Sequence, residues 1–264
     1  MKYSKLSDVY QIHKGETIYL IGNGPALLEI PDSYKEKISN GISIGVNSSH
    51  LFSNTTYQMC STWSCYLLNC HYGNVEECRF YHGQGIGTDS SWPFGGATTL
   101  SASFFADNNT LNIADEMKEP RSPDVLFSKP NGFFYGNDNM LFSATNLATI
   151  MGASVIVYLG FEQKTSGHYY DKPELMELYK NQTCEMKTVY KNDPHILKDL
   201  EDMEIKNINK NVTPEYLSIR KQEFKNKLTQ LIDTMKKYDV TPVVHVKNSV
   251  VYEAGAIWKD YEDE

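Results

Sequence analysis

The chain has 264 residues, enough to bury a full core, and its 41% hydrophobic and 22% charged content is ordinary for a folded globular protein. A net charge of −8 argues against a surface that is basic all over, and the absence of a long apolar run predicts no membrane span. An odd cysteine count of five fits a reducing compartment, and the polar start Met1-Lys2-Tyr3-Ser4-Lys5 has no apolar signal core, so a cytoplasm is the expected location.

In chain order, residues 4–14 predict a short amphipathic helix with Leu6, Val9, Tyr10 and Ile12 on its apolar side. Residues 17–21 form an apolar, β-branched run that reads as a buried strand, and it breaks at Gly22-Asn23-Gly24-Pro25. Glycines at a strand's carboxyl end let backbone N–H groups approach a ligand, and Pro25 suits the first turn of a helix. The dinucleotide fingerprint is excluded, because Leu27 stands where its third glycine belongs. The plainer reading is a tight strand-to-helix turn.

Residues 42–46 read as a second strand ending at Asn47-Ser48-Ser49, and residues 57–60 as a third ending at Ser61 and Thr62. Residues 79–82 and 125–127 are shorter strand candidates, with a Gly/Ser/Thr-rich loop over residues 83–98 between them. Asn139 to Met151 has helical periodicity, stops at Gly152 and runs at once into a buried strand over residues 155–160. A helix linked so tightly to a strand indicates parallel α/β packing. From about 164 to 212 the sequence turns polar and irregular, which predicts a partly helical lid or insertion. Thr213 to Tyr238 reads as a long helix with Pro214 at its first position, and residues 242–246 as a last strand ending at Asn248-Ser249.

Cys60, Cys65, Cys70 and Cys78 cluster with His71 and His82, but the gaps are too evenly long for the paired spacing of structural zinc. Free thiols are expected, and no metal site is assigned. The segment from Lys206 to Lys237 holds eight basic residues against three acids, which reads as a solvated helix face before a phosphate-binding patch.

One regularity runs through these elements. The strands end in Asn23, Asn47, Ser61/Thr62, Gly160 and Asn248/Ser249, and in an open parallel sheet those ends form the ligand crevice. Amides and hydroxyls there suit ribose, base edges and sugar hydroxyls, while Glu162 is the one acid close behind a central strand end. A metal-independent site for a nucleotide-linked ligand follows. The fold class is α/β: a Rossmann-like, mostly parallel sheet with helices on both faces and a lid insertion, in one domain over residues 1–264.

The stretch His13-Lys14-Gly15-Glu16 followed by Ile18-Tyr19-Leu20-Ile21-Gly22-Asn23-Gly24-Pro25-Ala26-Leu27 resembles the opening of the bacterial family-42 sialyltransferases, which have a GT-A-like variant of this fold. Related groups are the motility-associated-factor glycosyltransferases and the archaeal hydroxymethylpterin diphosphokinases. Ala26 stands where those proteins usually have serine, and Asn137-Asp138-Asn139 where a Ser-Gly pair is expected. The resemblance implies that Asn23 and Asn47 hold the donor nucleotide, that Glu162 contacts the donor, and that Tyr170 meets its phosphate. It also places Asn248-Ser249 at the family's Asn-Ser after the last strand. His195 matches the lid histidine that serves as base, with His168 as a rival and Asp171 as its acidic partner.

These readings make the chain a nucleotide-sugar-dependent glycosyltransferase needing no cofactor and no metal, in a bacterial or phage-infected cell. The acceptor is either a glycan or a hydroxymethylated base in phage DNA, the latter with phosphate contacts from the basic segment. Two other classes remain open: a Mg²⁺-dependent diphosphokinase, which would need clustered acids at the strand ends, and a non-catalytic nucleotide-binding module.

Overall fold

In a computed structural model of the chain, the described residues are 2–3, 5–81, 107–113, 140–162, 168–194, 196–198, 200–201 and 214–263. Their strands are β1 Thr17–Ile21, β2 Ile42–Val46, β3 Thr55–Cys60, β4 Val75–Tyr81, β5 Thr110–Asn112, β6 Val155–Leu159, β7 Thr241–Val244 and β8 Ile257–Trp258. The helices are α1 Asp32–Asn40, α2 Trp63–Tyr72, α3 Met140–Ile150, α4 Pro173–Val189, α5 Pro214–Lys237 and the single turn α6 Val250–Glu253. The strands form one sheet in the order β5-β4-β3-β2-β1-β6-β7-β8. Every pairing in it is parallel.

The central strands read as continuous apolar runs because both faces of the sheet are covered. Successive side chains on a strand point to opposite faces. Ile18, Leu20, Ile156 and Tyr158 pack with Leu141, Ala144 and Leu147 of α3 and Leu228, Leu231 and Met235 of α5. Their neighbours Tyr19, Ile21, Val157 and Leu159 pack with Tyr34 and Ile38 of α1 on the other face. Further along that second face, Cys60 and Tyr81 meet Tyr66 and Leu67 of α2 and Tyr179 and Met186 of α4. Each such side chain fully buried is worth about 1.5–3 kcal/mol, so the two-faced burial carries the fold.

The expected helix over residues 4–14 is not one. Leu6–Val9 makes a single 3-10 turn with Leu6 and Val9 buried, Gln11 takes a left-handed φ of 56°, and Ile12 is exposed. The backbone N–H groups of Gln11, His13 and Gly15 instead donate to the carbonyls of Ile150, Met151 and Gly152 at 2.8, 2.8 and 2.9 Å. The segment therefore closes the carboxyl end of α3, where Gly152 turns the chain at φ 93°. The two-residue edge strand β8 was not foreseen, being too short to carry a pattern. The loop over residues 83–98, the strand candidate at 125–127 and Asn137–Asn139 lie outside the described residues.

Candidate functional site

The strand order reverses at β1, which has β2 on one side and β6 on the other, so the crevice of an open parallel sheet belongs outside the carboxyl ends of β1 and β6. The glycine turn stands there. The backbone donors of its two glycines are already used: the N–H of Gly22 bonds to Leu159 O at 2.8 Å and that of Gly24 to Gly160 O at 2.7 Å. A Cβ on Gly22 would overlap the Gly160 carbonyl, and one on Gly24 would overlap the Glu162 carboxyl. The glycines thus serve close packing of two strand ends against each other, with Gly160 itself at φ 71°. Pro25 opens a 3-10 turn over Pro25–Glu29, as its fixed φ predicts.

What the turn leaves open is Asn23. Its Nδ2 donates to Val46 O at 3.1 Å, which fixes the orientation of the amide, and its Oδ1 is buried without a hydrogen-bond partner among the described residues. Glu162 packs its carboxyl against Gly24 of the same turn; it is buried, and its Oε2 also has no hydrogen-bond partner among the described residues. Burial raises the Glu162 pKa above its ordinary value, while backbone N–H groups of Glu162 and Ala26 work the other way by stabilising the carboxylate. Two buried acceptors without donors are costly, and they flank the switch point. With Phe161, Val244, Val246 and Ser249, Glu162 also lines a recess whose free volume of about 10 Å³ holds no more than a water.

The β2 end is built differently. Asn47 sits at φ 52° at the head of a 3-10 turn over Asn47–Leu51, and its Oδ1 accepts from the backbone N–H and the hydroxyl of Ser61 at 3.1 and 3.3 Å. Ser48 in the same turn holds two tyrosines. Its carbonyl accepts from the Tyr169 hydroxyl at 2.6 Å, and its side chain hydrogen-bonds Tyr170.

Tyr169 and Tyr170 belong to a 3-10 turn over Tyr169–Asp171 that leads into α4. The turn is fastened over the crevice by the Tyr169 N–H on Asn23 O at 3.0 Å. Tyr170 stacks on Tyr179 of α4 and on the exposed ring of His168, with centroids 5.2 and 4.7 Å apart, and burial raises its pKa. Asp171 receives the backbone N–H of His168 at 2.6 Å, a turn-closing bond. His50, from the Asn47–Leu51 turn, meets Gln182 of α4 at 3.3 Å, and burial lowers its pKa.

At the β7 end Asn248 is exposed, whereas Ser249 caps α6 by accepting the Tyr252 N–H at 3.0 Å. The Val250 N–H donates to Glu162 O at 3.1 Å, tying this end to β6. His195 lies outside the described residues. The structure therefore brings Asn23, Asn47, Glu162, Tyr170 and Ser249 to one edge of the sheet. Sequence reading named Ser48 and Ser61 only as strand-end residues, and it missed His50, Gln58 and Tyr169. The cue for Gln58 and Gly45 was a polar amide and a glycine at paired positions of neighbouring apolar strands. The five cysteines form no disulfide, and no cluster of three or more His, Cys, Asp or Glu suited to a metal stands among the described residues.

These features define a Rossmann-like α/β protein with a candidate ligand site at the β1/β6 switch point. Two solved structures align with nearly the whole chain. One is the sialyltransferase CST-II in complex with a trisaccharide acceptor and CMP, at 13% identity and a TM-score of 0.50, covering 91% of this chain and 86% of that one. The other is the sialyltransferase CstII from Campylobacter jejuni with the substrate analogue cytidine-5′-monophosphate, at 13% identity and a TM-score of 0.49, covering 92% and 85%. No protein-family profile matches the chain, and no curated protein sequence matches it.

Proposed function

We propose that this protein is a glycosyltransferase that moves a sugar from a nucleotide-sugar donor to an acceptor hydroxyl without a metal ion. The observation that carries this reading is the pair of buried acceptors at the switch point with no hydrogen-bond partner among the described residues, Asn23 Oδ1 and Glu162 Oε2. They call for a ligand that brings hydrogen-bond donors, as ribose hydroxyls or an exocyclic amine do. Asn47 complements them. With its Oδ1 held by Ser61, and no hydrogen bond among the described residues using its Nδ2, its amide offers donors to an acceptor-rich group such as a phosphate. The similarly folded CST-II structure holds CMP and a trisaccharide acceptor, which supports a nucleotide donor and favours a glycan over DNA as acceptor.

In this reaction the acceptor oxygen attacks the anomeric carbon, the bond to the donor phosphate breaks, and the hydroxyl proton passes to a base. His195 and His168 are the candidate bases. His168 stands exposed on the Tyr170 ring, where its imidazole would be open to an incoming hydroxyl. Tyr170 meets the phosphate when its phenol exchanges Ser48 for it, and the tyrosine turn excludes water from the reacting centre. Metal independence rests on the amides and hydroxyls at the strand ends, which offer no acid pair to hold Mg²⁺ against a diphosphate.

The test is calorimetric titration with CMP and other nucleoside monophosphates, followed by chromatography of nucleotide sugars incubated with a trisaccharide acceptor. CMP binding and transfer that survive EDTA are expected. Transfer lost to EDTA and restored by Mg²⁺ would move the protein to the diphosphate-handling class. Binding without turnover would leave a nucleotide-binding module.

A further inference from the structure

Gln58 is fully buried in β3, between the Asn47–Leu51 turn and the sheet. A buried amide is costly unless its hydrogen-bonding capacity is met, and an aliphatic residue would fill the same space at lower cost. Each half of this one is engaged on both sides. Its Oε1 accepts from the hydroxyls of Ser49 at 3.0 Å and Thr55 at 3.4 Å. Its Nε2 donates to the Asn47 carbonyl at 2.9 Å and lies 3.8 Å from Cys60 Sγ. The Asn47 carbonyl can only accept, so the amide orientation is fixed. Room for it comes from Gly45 on the adjacent strand, where a Cβ would overlap both Gln58 Oε1 and Ser49 Oγ.

We infer that Gln58 is a positioning residue, holding Asn47 in its left-handed conformation so that the Asn47 amide faces the donor nucleotide. The inference rests on the donor-site reading above. The left-handed region is unfavourable for most residues with a side chain; asparagine adopts it more readily than others, and at position 47 two neighbours fix it there. Gln58 holds the carbonyl of Asn47 and Ser61 holds its side chain, from two different elements. If the Gln58 bond is removed, the backbone at 47 relaxes and the amide loses its aim, although Asn47 itself is unchanged.

The test replaces Gln58 by Met, which keeps the volume and removes the bonds. Two readouts are followed at a temperature where circular dichroism shows the variant folded. The first needs no ligand: the Asn47 carbon shifts and HN–Hα coupling report its φ, and in Gln58→Met they are expected to leave the left-handed range. The second is CMP affinity, expected to fall about ten-fold, the size of one lost buried hydrogen bond. Gln58→Glu should recover affinity as pH falls, because the protonated carboxyl regains a donor for the Asn47 carbonyl. Should Gln58→Met fail to fold, Ser49→Ala weakens the same network and should move both readouts in the same direction by less. Left-handed Asn47 shifts retained in Gln58→Met, or CMP affinity within two-fold of the parent, would overturn the inference. An unmutated protein that ignores CMP refutes the donor reading instead, and the shifts still decide the role of Gln58.

Discussion

The ends of β1 and β2 lie side by side, yet they are built on opposite principles. At β2 the polar groups of Gln58 are matched one to another, and Asn47 Oδ1 accepts twice from Ser61. At β1 the backbone is clasped to β6 through Gly22 and Gly24, but Asn23 Oδ1 and Glu162 Oε2 are buried with no donor among the described residues. A satisfied network rigidifies, whereas an unsatisfied pair stores a cost that a ligand can remove. The first region is scaffold for one amide. The second is the half of the crevice that ligand binding completes.

The largest effect expected from breaking this contrast is on the clasp. Gly22→Ala places a methyl group into the Gly160 carbonyl, a backbone atom that cannot swing aside. A loss of about 3 kcal/mol of stability is expected in urea unfolding. A loss below about 1 kcal/mol would mean that the two strand ends are not locked together. Next in size is Asn23→Ala, which should separate binding from stability. Removal of the Asn23–Val46 bond costs about 1 kcal/mol of stability, while CMP affinity falls by roughly ten-fold or more. Equal losses in the two measurements would make Asn23 scaffold, like its neighbour across the strand.

Glu162 sharpens the comparison through pH. Its folded-state pKa is raised above the ordinary carboxylate value by burial, so the folded protein holds that proton to higher pH than the unfolded chain does. The stability this contributes is fully present below the unfolded pKa and is lost as pH rises through the raised folded value. Glu162→Gln removes the titration. Across that window the parent should lose stability relative to Glu162→Gln as pH increases, measured by unfolding at fixed ionic strength. The opposite slope would mean that backbone donors outweigh burial at this carboxyl.

Much of this was legible in the sequence because it depends on local pattern. The apolar runs of β1, β2 and β6, the glycine turn and the Gly152 stop each have a short-range signature, and the parallel order follows from a helix tightly linked to a strand. The helix expected over residues 4–14 failed because apolar spacing does not record which partner takes the backbone N–H groups, here the end of α3. The role of the glycines was misjudged for a related reason. Gly22 and Gly24 do permit close approach, but what approaches is Gly160 and Glu162, more than a hundred residues away in the chain. The roles of Gln58 and Ser48 stayed hidden because only the fold brings their partners to them.

The smallest effect belongs to Ser61, and it tests how evenly the β2 network shares its work. Asn47 Oδ1 accepts from the Ser61 backbone N–H at 3.1 Å and from its hydroxyl at the longer 3.3 Å. Ser61→Ala deletes only the second, so the amide keeps its aim and stability falls by about 0.5 kcal/mol in urea unfolding, the low end for one hydrogen bond. CMP affinity should stay within two-fold of the parent. A ten-fold loss from so small a change would shift the aiming of Asn47 from the backbone bond to the hydroxyl. The tolerance expected here is a property of redundancy: Ser61 holds the amide twice. Asn23 Oδ1, one strand away, has no hydrogen-bond partner among the described residues, which is why an alanine there is expected to cost binding so much more.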